Sequence, residues 1–234
     1  MKIAVVSIFY NTKRLLNPLY RSFKKQSNIN EYDFYVYDNS DDEDKKVSTA
    51  EDGVIIRHID SKSLIGDIPA YNGSAKHTKS IDIALNELKM KYDVCILLDS
   101  DIIITKSITP YLEEFIAGEY TLCGFHDITS NRNLIHPCAM IINLNDYRKY
   151  NLHFYDKMRM YGVKPTKNTY DTGMSFYEDV IKKNLKVLEI PYNSYFNHFG
   201  GGSRDYKTCG KVKTNDRIYR NLDEWLDDFK SFYE

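Results

Sequence analysis

The chain has 234 residues, with 32 lysines and arginines against 33 aspartates and glutamates, giving a formal net charge of -1. That length suits one ordinary catalytic domain, and the balanced charge excludes a whole-molecule field that would draw the protein onto nucleic acid or anionic lipid. No run is apolar for long enough to span a membrane, the opening MKIAVVSIFYNT is too short for a signal-peptide core, and the scattered Cys95, Cys123, Cys138 and Cys209 read as free thiols in a reducing, cytoplasmic setting.

Strand-like runs follow one another at Ile3 to Ile8, Phe34 to Tyr37, Val54 to Ile59, Val94 to Leu98, Tyr120 to Phe125, Cys138 to Asn143 and Val187 to Ile190. Helical patterns fall between them. Asn17 reads as a cap before Pro18, and Thr109 as a cap before Pro110, while Ile81, Ala84, Leu85 and Leu88 form one apolar stripe and Phe176, Val180, Ile181 and Leu185 another. The alternation predicts an α/β fold whose sheet is mostly parallel and flanked by helices, with ligands at the carboxyl ends of the strands. Ser40 to Asp52, rich in acidic and small polar residues, reads as a solvated loop. Phe199 to Asn215 carries Gly200, Gly201, Gly202 and Gly210 and reads as a mobile loop. Beyond it, Asn221 and Glu224 fit a capping box, and Leu222, Trp225, Leu226 and Phe229 fall at helical spacing. Residues 1–200 are thus expected to form the catalytic unit, with the loop and helix of 201–234 packed on it.

The segment with most chemistry is Val94 to Ile104, where a buried strand runs straight into Asp99-Ser100-Asp101. Two carboxylates at the end of such a strand are costly to desolvate, and no lysine or arginine follows until Lys106. A hard divalent cation, Mn²⁺ or Mg²⁺, would compensate them and could also grip a diphosphate. A pair of turn or cap aspartates is the bland alternative on spacing alone.

Four pieces in order make the chain resemble the family 2 glycosyltransferases and related enzymes of the GT-A fold, over roughly residues 1–200. They are Ser7-Ile8-Phe9-Tyr10-Asn11, Val36-Tyr37-Asp38-Asn39-Ser40, Asn72-Gly73-Ser74 opening a helix, and the strand ending in Asp99-Ser100-Asp101. The resemblance implies a Rossmann-like sheet of the nucleotide-diphospho-sugar transferase type, binding a UDP-, GDP- or dTDP-linked sugar and transferring it to a hydroxyl of a glycan or other acceptor. It implies that Phe9, Tyr10 and Asn11 lie against the nucleoside, that Asp38 hydrogen-bonds the base or ribose, and that Asn72 and Gly73 open a helix near the nucleotide. Asp99 and Ser100 would meet the donor, and Asp99 and Asp101 the metal.

An inverting transfer needs a carboxylate to deprotonate the acceptor hydroxyl. Asp171, in Tyr170-Asp171-Thr172-Gly173, stands before an apolar helix where the family commonly has an acidic residue, and Asp127 is the rival. Asn197-His198-Phe199 with its glycines resembles the family's histidine loop, which implies His198 as a metal ligand. Arg204 and Lys207 are then placed to neutralise the diphosphate. His136 is expected to border the acceptor, whereas His58, His77, His126 and His153 lack ligand spacing and read as solvated or packed. Two other readings compete: a nucleotidyltransferase, which would normally carry a Gly- and Arg-rich phosphate loop after the first strand, and a catalytically silent nucleotide-sugar-binding module.

Overall fold

Every residue of Ile3–Phe9 (β1) is buried, and its side chains alternate between two apolar clusters. Ile3, Val5 and Phe9 enter one and Ala4, Val6 and Ile8 the other, as a central strand covered on both faces must do. The computed structural model describes residues 1–60, 64, 73–129, 132–156, 172–192, 194–200, 212–214, 217–219 and 221–234. Around β1 stand Asp33–Asp38 (β2), Val54–His58 (β3), Val94–Asp99 (β4), Leu122–Thr129 (β6), Arg132–Asn143 (β7) and Val187–Ile190 (β8). Their order across the sheet is β3-β2-β1-β4-β7-β6-β8, with β7 alone antiparallel to its neighbours. The expected α/β fold with a mostly parallel sheet is therefore present. The chain leaves the β3 edge and returns on the other side of β1, so the crevice between β1 and β4 is the switch point where such sheets bind ligands.

Leu16–Gln26 (α1) and Thr109–Ala117 (α3) cover one face, while Gly73–Leu88 (α2), Leu144–Lys149 (α4) and Met174–Lys182 (α5) cover the other. Two expected helix caps are displaced. A short 3₁₀ turn at Lys13–Leu15 runs into α1, so Leu15 takes the cap position and Asn17 lies inside the helix; Ile108 likewise precedes α3, which begins at Thr109. Leu185 packs beyond the end of α5 rather than within it. Among the described residues no helix is long and apolar enough to cross a membrane.

The strand expected from Cys138 begins six residues earlier, at Arg132. His136-Pro137 looks like a strand break because proline cannot donate to a ladder. Here it falls in a bulge: Gly124 pairs with Met140 but His126 already pairs with Ile135, so residues 136–139 stand opposite Phe125 alone, while Ala139 keeps its pairing with Leu98 of β4. That bulge carries His136 and Cys138. A second, two-stranded sheet joins Ile102–Ile104 (β5) to Phe196–His198 (β9), antiparallel, with Ile102 opposite His198.

Leu222–Asp228 (α6) starts where the capping pattern places it, with the Asn221 side chain accepting the Glu224 N–H at 2.9 Å. Trp225 is fully buried and its indole N–H donates to Asn197 Oδ1 at 2.8 Å. The last helix therefore braces β9. On the opposite face Asp82 of α2 accepts the backbone N–H groups of Phe154 and Tyr155, both at 2.7 Å, and the Tyr147 hydroxyl at 2.9 Å. Burial pushes its carboxyl above the ordinary range, and those three donors oppose the push. A buried carboxylate so fully engaged serves as a clasp, anchoring the chain where it leaves α4.

Candidate functional site

The parallel register of β1 with β2 and β4 ends level, Phe9 beside Asp38 and Ile8 beside Asp99. Asp99 closes β4, Ser100 and Asp101 make the turn, and β5 carries the chain back under β9. The Phe199 N–H donates to the Asp101 carbonyl at 3.0 Å, locking His198 over that turn. His198 Nε2 lies 3.2 Å from Asp101 Oδ1 and 3.7 Å from Asp99 Oδ2. One ligand atom from each of the three residues falls within 4.8 Å of the others. Residues some hundred positions apart in the chain thus converge on one point at the strand ends.

Asp101 is 5% exposed, so its charge needs a partner. His198 supplies one: burial would lower the imidazole's pKa, but Asp101 and the Cys138 thiol together pull it well above the ordinary value. The His136 ring stands edge-on to His198 with centroids 5.8 Å apart, and its Nδ1 accepts the Cys138 N–H at 3.2 Å. Cys138 is fully buried, yet the imidazoles of His136 and His198 outweigh that burial and draw its thiol below the ordinary value. Two carboxylate oxygens and one imidazole nitrogen are a donor set for a hard to borderline divalent cation such as Mn²⁺ or Mg²⁺.

In the sequence His77 reads as solvated or packed. It stands on the first turns of α2 with Nε2 3.5 Å from Asp99 Oδ1, on the carboxylate oxygen that His198 does not face. Nothing in the local sequence announces this, because the proximity comes from how α2 crosses β4. His58 similarly lies 3.7 Å from Asp38 Oδ2, while His126 is held between Glu189 and Asn133 and His153 rests on the Asn151 carbonyl. Carboxylates that hold metals depend on such partners for their orientation, and losing one lowers affinity by about 10- to 100-fold. Substituting His77 with alanine is expected to weaken Mn²⁺ binding by that order while leaving the thermal melt of the free protein unchanged. Calorimetric titration of Mn²⁺ into both proteins measures it.

On the β1–β2 side, Asn11 sits in the left-handed region at φ 57° and its N–H donates to Ser40 Oγ at 2.7 Å. The Tyr10 hydroxyl donates to Asp41 Oδ2 at 2.8 Å, and Lys76 of α2 lies 3.6 Å from the same carboxylate and 5.7 Å above the Tyr10 ring. Burial and Asp41 push the Tyr10 phenol up to about 12. Phe9 is fully buried in the core. The Asp38 carboxylate is buried as well, accepting from Ser40 N and Oγ on one oxygen and from Val47 N at 2.8 Å on the other. As placed it shapes residues 40–47. The segment read as a solvated loop is accordingly pinned at Ser40 and again at Val47, both buried. Ser100 accepts from the Thr12 hydroxyl at 3.2 Å, tying the β1 end to the β4 turn. Gly73 is the first residue of α2, while Asn72, Asp171, Arg204 and Lys207 lie outside the described residues.

No family model matches this sequence, and no curated protein does. Solved structures do. S. aureus TarS (residues 1–349) is similar with a TM-score of 0.55 at 15% identity, over 84% of this chain and 60% of that one. The galactosyltransferase LgtC, solved with donor and acceptor sugar analogues, gives 0.51 at 17% identity over 80% of this chain and 72% of LgtC. Mannosyltransferase PcManGT from Pyrobaculum calidifontis gives 0.53 at 8% identity over 82% of this chain and 55% of its own. The fold is that of the GT-A glycosyltransferases. The chain spans only 60% of the TarS fragment's length, and a Bacillus anthracis structure described as a glucose-1-phosphate thymidylyltransferase is similar too, at 0.52 and 9% identity. TarS has been solved with UDP and with UDP-GlcNAc, and PcManGT with GDP-Man and Mn²⁺. At such identities the likeness establishes architecture, and the reaction must be argued from the site.

Proposed function

We propose that the protein is a metal-dependent glycosyltransferase that moves a sugar from a nucleotide-diphospho-sugar to an acceptor hydroxyl of a glycan, with inversion. The observation that carries this reading is the Asp99, Asp101 and His198 cluster at the switch point of the sheet. Asp99 and Asp101 alone would repel a diphosphate, so these residues suit a bound Mn²⁺ or Mg²⁺, which when present neutralises the leaving diphosphate.

The chain's own residues then divide the work. Tyr10, Asn11 and the 40–47 loop shaped by Asp38 form the nucleoside side, and the free, buried thiols of the described cysteines fit a reducing compartment such as the cytoplasm. Asp171 is the proposed base, taking the acceptor proton at a carboxylate oxygen, with Asp127 as the rival. Arg204 and Lys207 are assigned to the diphosphate. Residues 1–200 carry the rest of this chemistry, and the 201–234 segment adds Arg204 and Lys207 and supports the site through Trp225 of α6.

A nucleotidyltransferase shares the architecture, but β1 here ends in Phe9-Tyr10-Asn11-Thr12 rather than a Gly- and Arg-rich phosphate loop. Incubating the protein with UDP-, GDP- and dTDP-sugars plus Mn²⁺ tests the proposal through slow donor hydrolysis. Release of free sugar and nucleoside diphosphate, abolished by EDTA, is the expected result. Release of sugar 1-phosphate, or no turnover and no Mn²⁺-dependent nucleotide binding across the panel, would overturn it.

A further inference from the structure

Tyr192 is 42% exposed, a large aromatic surface left open to solvent two residues beyond the end of β8. Its ring is not loose. It lies 4.8 Å from the Phe125 ring and meets Phe196 edge-on at 6.0 Å, and Phe196 is itself in β9, two residues before His198. Phe125 pairs with Ile190 across the β6–β8 ladder, so the strand register fixes the aromatic pair rather than a mobile tip. Asp127 follows two residues further along β6, and Tyr192 lies within electrostatic reach of Asp127, Asp101 and His198.

The strand order gives this patch its meaning. Tyr10 and Asn11 follow β1, the carboxylates follow β4, and the Tyr192 patch stands over β6 and β8, beyond β7. The metal-ligand cluster therefore sits between a nucleoside side and an aromatic side. Three strand steps separate β1 from β6, roughly 14 Å at ordinary spacing. A sugar held at the cluster by its diphosphate would point its far face toward Tyr192.

We propose that Tyr192, backed by Phe125, is the platform on which a sugar ring of the acceptor stacks, with Asp127 of β6 as the carboxylate assigned to its hydroxyls. This deepens the glycosyltransferase reading and rests on it. A pyranose has one face of C–H groups, which an exposed aromatic ring covers, and a rim of hydroxyls, which a carboxylate at the ring's edge accepts.

The test is saturation-transfer NMR on the full chain with a panel of methyl and p-nitrophenyl hexopyranosides, with and without UDP, GDP or dTDP plus Mn²⁺. Affinity for nucleotide with Mn²⁺ is measured by calorimetry on the same samples. The expected result is that at least one glycoside binds the wild type, that Tyr192→Ala weakens it about tenfold, and that Tyr192→Phe keeps it within about threefold. Nucleotide and Mn²⁺ affinities should be the same in all three proteins. Glycoside binding that survives Tyr192→Ala, no glycoside binding to the wild type, or an equal loss of nucleotide binding in Tyr192→Ala would each overturn the platform. Failure of the glycosyltransferase reading shows differently, as a wild type that binds no nucleotide in the presence of Mn²⁺.

Discussion

Asp101→Ala is expected to lower both donor hydrolysis and transfer by at least about a thousandfold, equivalent to about 4 kcal/mol of transition-state stabilisation, which is the usual worth of a metal that neutralises a leaving diphosphate. Asp101 does two things at once. It is the nearer of the two acids to His198, at 3.2 Å, and its backbone carbonyl accepts the Phe199 N–H that ties β9 to the turn. Only the first is lost on substitution, since the backbone bond survives. The free protein should therefore fold, and its circular dichroism and melt check that. Asp101→Asn separates charge from shape: the side chain still fills its buried place but no longer offers an anion to a cation, so activity should fall nearly as far as in the alanine variant. Hydrolysis of a nucleotide sugar at saturating Mn²⁺ measures all three proteins. Wild-type turnover by Asp101→Asn, or full wild-type activity in excess EDTA, would remove the carboxylates from the chemistry.

Most of the sheet was legible because burial and period coincide in it. Seven runs of apolar residues became the seven strands of the main sheet, and Val187 to Ile190 kept its bounds. What sequence missed depends on contacts between distant segments. β5 and β9 are three residues each, too short for any periodic pattern, and each exists because the other pairs with it. His136-Pro137 reads as a boundary, and only the partner strand's register reveals that the ladder resumes on its far side.

The candidate site divides the same way. Asp99 and Asp101 stood out because two acids at the end of an apolar strand demand an explanation, and His198 because of the family resemblance. His77 and Lys76 carried no such signal, since a helix reveals which of its faces is apolar but not which strand end that face crosses. Asp38 shows what a strand-end position leaves unsaid. It invites a ligand role, and its position along the chain does not reveal that Ser40 and Val47 also donate to its oxygens.

Trp225→Ala is expected to destabilise the fold by about 3–5 kcal/mol, the ordinary cost of emptying a fully buried large aromatic site. The indole is 0% exposed, packs within 5.4 Å of Phe199 and 5.7 Å of Phe229 by ring centroid, and donates to Asn197. Chemical denaturation reads that loss directly. The more informative consequence is catalytic, because Asn197 and Phe199 flank His198 on either side, so the C-terminal helix holds the proposed metal ligand from behind. Trp225→Phe keeps most of the packing but removes the N–H, leaving Asn197 Oδ1 without its donor at a cost of about 1–3 kcal/mol. Its melt should fall less than that of the alanine variant. Well below both melting points, Mn²⁺ affinity should nevertheless drop in each, since losing the groups that orient a metal ligand costs about 10- to 100-fold in affinity. If Mn²⁺ binding and donor hydrolysis in folded Trp225→Phe match the wild type, α6 stabilises the core without setting His198, and β5 pairing alone must hold the imidazole in place.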